Sequence, residues 1–191
     1  MSTRKAIIDL GTNTFNLLVA DVDGSSFHIV HSEKDGVALG MGGINDKRIA
    51  DEAQNRGLHT LDRFIKKCEA LKVDTIWAFG TSALRDATNA AEFLTLLKNK
   101  LNLEVKIISG QEEAQLIYEG VRQLYDFSTP AVIIDIGGGS TEVIFGDASG
   151  PKEMDSLNIG VSRIYQQFSF SDPFIPEDIL SLIHISEPTR P

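Results

Sequence analysis

Two stretches of the chain join an aspartate to a glycine- and hydroxyl-rich turn, a combination suited to holding phosphate. In residues 132–147, VIIDIGGGSTEVIFGD, an apolar run carrying Asp135 enters Gly137, Gly138 and Gly139, and a second apolar run leaves after Ser140. Glycines let the backbone turn tightly and bring successive bare N–H groups close to an anion. Val132, Ile133, Ile134 and Ile136 have the β-branched character of a buried strand, which makes Asp135 a charge that should be buried only for a purpose. The pattern occurs once before, 126 residues earlier, where AIIDLGTNTFNLLVAD (residues 6–21) aligns without a gap. Asp9, Gly11 and Asp21 match Asp135, Gly137 and Asp147; Thr14 stands where Ser140 does, and Thr12 and Asn13 complete the first turn. Two such strand-turn-strand units imply two related lobes facing one cleft, with phosphate between the turns.

Other residues could contribute charge to that cleft. Arg85 lies in GTSALRDA (residues 80–87), directly after the β-rich run TIWAF. Ligands in α/β folds favour the C-terminal ends of strands, so Arg85 is either a phosphate-binding cation or half of an ion pair with Asp86 or another acid. In SGQEEAQLIYEGV (residues 109–121), Ser109 and Glu112 have capping-box spacing, so Glu112 reads as a cap. Glu113 falls on a different face of the helix, from which it could point at the cleft. His59 has no second His, Cys or carboxylate at metal spacing, and the glycine loop VALGMGG (residues 37–43) reads as a connection.

The elements that must position these groups alternate between strand and helix. After the first hairpin comes a turn at Asp23-Gly24 and a third strand. A long helix follows, capped by Asp46, weakened midway by Gly57 and carrying Leu61, Phe64 and Cys68 inward. The strand TIWAF, a helix from about Asn89, a strand near residues 104–108 and the SGQEEA helix set a βαβ rhythm. Past the second hairpin, KEMDSL reads as a strand, NIGVSR leads into a short helix ending near Phe168, and Glu177 begins another.

Composition limits the setting. The 191 residues are 42% hydrophobic and 24% charged, as in an ordinary globular protein. A net charge of −9 without a basic patch argues against nucleic acid or an anionic membrane as partner, and no run approaches a membrane span. The lone Cys68 excludes an internal disulfide and fits a reducing, cytoplasmic compartment.

IIDLGTNTFNLLV, GTSALRDA, SGQEEAQLIYEGV, IDIGGGSTEV and IGVSR, in this order and spacing, resemble the exopolyphosphatase and guanosine-pentaphosphate phosphatase family over residues 6–168. The resemblance implies an α/β, ribonuclease-H-like fold of the actin, sugar-kinase and heat-shock-chaperone superfamily. It also implies hydrolysis of a terminal phosphoanhydride in polyphosphate or guanosine pentaphosphate. The turns Gly11–Thr14 and Gly137–Ser140, with Arg85, would hold phosphate. Asp135 and Glu142 match the family's carboxylates near a divalent ion, Mg²⁺ or Mn²⁺, and Glu113 matches its catalytic base. The expected organisation is a first lobe over residues 1–128 and an incomplete second lobe over 129–181, since 110 residues span Val22 to Ala131 but only 44 follow Asp147. Residues 182–191, LIHISEPTRP, resemble translated adaptor sequence and are expected to be a non-native tail. A homodimer is a further expectation.

Two alternatives stand beside the hydrolase reading: a non-catalytic sensor of polyphosphate or an alarmone, and a sugar kinase or ATPase of the same superfamily. A dinucleotide-binding domain fails, because STEVIF after Gly139 reads as strand where that fingerprint requires a helix.

Overall fold

The structure is a computed structural model describing residues 2–168 together with 175 and 176. The helix expected from Glu177 and the tail 182–191 lie outside the described residues. Strand β1 (Thr3–Leu10) pairs antiparallel with β2 (Phe15–Asp23), placing Asp9 opposite Asn16. Strand β3 (Ser26–Asp35) continues the meander through a turn at Gly24, whose φ is +61°. Helix α1 (Asp51–Ala70) then crosses over to β4 (Thr75–Gly80), which lies parallel to β1. Helices α2 (Ser82–Asp86) and α3 (Ala90–Leu101) lead to β5 (Val105–Ile107), parallel to β4. The resulting five-stranded sheet runs β3-β2-β1-β4-β5.

Period-2 alternation puts Ile8 and Leu10 of β1 and Phe15, Leu17 and Val19 of β2 into one core with Leu61, Phe64 and Cys68 of α1 and Phe93 and Leu97 of α3. Gly57 has a packing reason to be in α1: a Cβ there would stand 3.2 Å from Phe93 Cζ and 3.4 Å from Phe15 Cε2. The helix gives up some propensity and gains close approach to two aromatic rings. Burial also raises the Cys68 thiol to about 11, the behaviour of an inert core residue.

Asp46 does not cap α1. The helix starts at Asp51 with Ala50 as its N-cap and no side-chain cap bond, while Asp46 donates its N–H to the Gly43 carbonyl in a turn. The entry is set instead by Asn89, whose Oδ1 accepts from Ile49 N–H and whose Nδ2 donates to Ile49 O, both at 2.9 Å. Asp51 and Glu52 supply negative charge to the first turn.

Helix α4 (Gly110–Val121) packs on a second sheet, of order β6-β7-β8, formed by β6 (Ala131–Ile136), β7 (Thr141–Asp147) and β8 (Gly150–Leu157). Its Ala114 and Tyr118 form a small core with Phe127 and Ile144, flanked by Ile133 and Met154. The Tyr118 hydroxyl donates to the Asp147 carbonyl. Helix α5 (Val161–Gln167) follows β8.

The expectation of a buried β6 is not met: Val132, Ile134 and Ile136 are 58%, 61% and 66% exposed, and Asp135 is exposed with them. Strand β6 is the outer strand of its sheet. Ile133 turns toward the small core, whereas among the described residues no layer covers the opposite face.

Candidate active site

The two hairpin turns have the same backbone geometry. Gly11 N–H donates to Thr14 O at 3.1 Å, and Gly137 N–H donates to Ser140 O at 2.9 Å. The strand registers agree as well, with Asp9 opposite Asn16 in one hairpin and Asp135 opposite Glu142 in the other. The tips meet. A Cβ on Gly138 would stand 2.7 Å from Asn13 Cγ, and one on Gly139 would stand 2.5 Å from Thr12 Oγ1 and 2.6 Å from Ser82 Oγ, so only glycine permits this approach. Thr12 and Ser140 are thereby buried.

Arg85 extends from α2, the helix whose Ser82 meets the second turn. Its Nη1 donates to Ile108 O at 3.0 Å and to Glu113 Oε2 at 3.1 Å, with both side chains 19% exposed. The ion pair is therefore with Glu113, because Asp86 accepts from Arg163. Yet the remaining arm of Arg85, Nη2, is buried without a hydrogen-bond partner among the described residues, as is Thr12 Oγ1. Buried polar groups are rarely left unsatisfied, so Thr12 Oγ1 at the meeting point of the turns, and Arg85 Nη2 beside Gly110 at the start of α4, suit an anionic oxygen.

The acids around them repel one another. Burial and then Glu142 push the Glu113 carboxyl above the usual range, Arg85 opposes this, and Asp9 adds to it. Asp9 is raised by burial, with Asn16 counteracting and Asp135 reinforcing. Asp9 thus feels the charge of Asp135, and Glu113 feels those of Glu142 and Asp9. Glu142 is 2% exposed and accepts from Ser156 Oγ at 2.7 Å. Among the described residues, no three His, Cys, Asp or Glu side chains sit at metal-binding spacing. Glu112 points elsewhere: it accepts from Ser109 N–H, closes the capping box, and is held down to about 2 by Lys106 and then Ser109.

A family model for the Ppx/GppA phosphatase family matches residues 18–183. The chain belongs to the Ppx/GppA phosphatase family. It is 39% identical over 155 residues to the guanosine-5'-triphosphate,3'-diphosphate pyrophosphatase of Aeromonas hydrophila, which covers 81% of this chain and 31% of that protein. The protein of the same name from Photobacterium profundum is 34% identical over 170 residues, covering 89% and 34%. Among solved structures, an exopolyphosphatase from Cytophaga hutchinsonii superposes with a TM-score of 0.93 at 35% identity, covering 96% of this chain and 59% of that one. The Aquifex aeolicus Ppx/GppA family member gives 0.74 at 27% identity, covering 97% and 60%. The chain thus spans about a third of these curated relatives and about three fifths of these solved ones. The superposition gives it the mixed α/β, actin-like fold of this Ppx/GppA group.

In this Ppx/GppA chain the structure brings together Gly11, Thr12, Asn13 and Thr14 with Gly137, Gly138, Gly139 and Ser140, and sets Arg85 against Glu113. Asp135 lies at the exposed end of β6. Two further residues, given no individual role from the sequence, belong to the site. Asp9 was visible as the partner of Asp135 in the repeat. Arg163, in IGVSR, bonds to Gly139, Ser82 and Asp86, and no spacing rule marks it.

Proposed function

We propose that the chain carries the phosphate-handling cleft of a hydrolase that releases terminal orthophosphate from inorganic polyphosphate, guanosine pentaphosphate or both. The observation carrying this reading is the half-buried Arg85–Glu113 pair, whose Arg85 Nη2 has no hydrogen-bond partner among the described residues, on the helix whose Ser82 meets the second turn. In the proposed mechanism, Thr12, Asn13, Thr14, Ser140 and the amides of the two glycine turns grip the phosphate oxygens, and Arg85 neutralises charge on the one being transferred. Glu113 orients and deprotonates the attacking water; its raised pKa brings it nearer the operating range of a general base.

Asp135 and Glu142 would hold Mg²⁺ or Mn²⁺, which would supply positive charge to the phosphate oxygens. The fit rests on the donor set, since Asp135 and Glu142 are hard carboxylates opposite each other in the hairpin, and a cation there would relieve their repulsion of Asp9 and Glu113. Mg²⁺ commonly takes one or two carboxylates plus waters and substrate oxygens, so fewer than three protein ligands is compatible. The organisation into lobes over 1–128 and 129–181 with a foreign tail over 182–191 is part of the same proposal, as is a cytoplasmic setting. No described helix is long and apolar enough to cross a membrane.

The test is orthophosphate release from polyphosphate and from guanosine pentaphosphate across pH. Activity should fall as pH drops through the raised pKa of Glu113, because the protonated acid cannot accept a proton. The stability term has the opposite sense. A raised folded-state pKa favours the protonated form, so its contribution is full below the unfolded value of about 4.3 and is lost as pH rises through the folded value. Binding of both substrates without release would replace the hydrolase by a sensor. Tight adenosine-triphosphate binding with transfer to a sugar would favour the kinase alternative.

For the homodimer, the surface offered is the exposed β6 edge with Val132, Ile134 and Ile136. Ile134→Lys should reduce association in light scattering. A strictly monomeric unmodified chain at high concentration would overturn that assignment.

A further inference from the structure

The start of α5 takes the carbonyls of the second glycine turn one after another. Val161 N–H donates to Gly137 O at 3.0 Å, Ser162 N–H to Gly138 O at 2.8 Å, and Arg163 Nε to Gly139 O at 2.5 Å. In a trans peptide the N–H of each residue points opposite to the preceding carbonyl. Holding three successive carbonyls on α5 therefore turns the amides of Gly138, Gly139 and Ser140 away from it, as an anion-binding concavity needs.

Arg163 does more than complete this row. Its Nη2 reaches Ser82 Oγ at 3.2 Å and the Asp86 carboxylate, both on α2, the helix that carries Arg85. The side chain is 12% exposed and Asp86 22%, so the pair is largely shielded from solvent. Ser162 Oγ adds a bond to Asn13 Oδ1 in the first turn. One guanidinium thus joins the second turn to the helix bearing the phosphate-facing arginine, and its neighbour joins the second turn to the first.

We propose that Arg163 is a positioning residue that sets the second glycine turn against α2, fixing both the direction of the Gly138, Gly139 and Ser140 amides and their distance from Arg85. This rests on the reading of the two turns as phosphate sites. Lys at this position would keep the charge for Asp86, but a single ammonium on a flexible stem cannot reproduce the fork that also serves Ser82 and Gly139.

The test is titration of the chain with tripolyphosphate, following affinity by calorimetry, the amide resonances of Gly138, Gly139 and Ser140 by NMR, and the melting temperature of each variant. The unmodified chain should shift all three amides. Arg163→Gln should weaken binding about tenfold or more and lose those shifts while the other amides of the fold stay in place; Arg163→Lys should recover only part. If Arg163→Gln does not fold, Arg163→Lys alone carries the comparison. Unmodified affinity and amide shifts in the folded variant, with only a lowered melting temperature, would make Arg163 merely structural and overturn the proposal. Absence of the three shifts in the unmodified chain would overturn the phosphate reading itself.

Discussion

Glu113→Gln is expected to lower orthophosphate release by roughly 10²-fold or more, the scale of a positioned general base, while polyphosphate affinity stays within a few-fold. Gln preserves the shape and a hydrogen-bonding oxygen for Arg85 but cannot accept the water's proton. Affinity should survive because the grip comes from the turns and from Arg85, whose Nη2 is the arm not engaged with Glu113. Glu112→Gln is the matched control. That acid is one residue away, yet it faces Lys106 and the backbone of Ser109, so its loss should weaken the helix start and leave the rate nearly unchanged. Equal rates for the two variants, or parallel loss of rate and affinity at Glu113, would remove Glu113 as the base.

Asp135→Ala and Glu142→Ala should each abolish divalent-ion-dependent release, and excess chelator should do the same to the unmodified protein. The two substitutions should differ in their structural effect. Asp135 is exposed, so its removal should leave the fold intact, whereas Glu142 is 2% exposed and accepts from Ser156 Oγ, which its removal would leave unpartnered. Loss of activity in both, with loss of stability confined to Glu142→Ala, is the expected pattern. Full turnover in chelator would end the metal assignment.

The repeat of residues 6–21 at 132–147 was legible in sequence because hairpin chemistry is local: β-branched runs on either side of a glycine turn specify strand, corner and strand without help from distant residues. The equivalent Gly11 and Gly137 hydrogen bonds follow from it. The capping box at Ser109 and Glu112 was legible for the same reason, since its partners lie three residues apart. From it came the assignment of different tasks to two adjacent glutamates.

Tertiary structure decided everything that depends on what a segment meets. Asp46 is a good capping residue by type, but the Asn89 bonds to Ile49 set the approach to α1 and moved its start to Asp51. Strand β6 has the composition of a buried strand, yet among the described residues no layer covers the face that carries Val132, Ile134 and Ile136, and they stand exposed. Arg85 could have paired with its neighbour Asp86; the fold gave Asp86 to Arg163, 77 residues away, and Arg85 to Glu113, 28 residues away. Local preference selects the conformation of a turn or a cap, whereas the partner of a charge depends on which distant segments packing brings within a few ångströms.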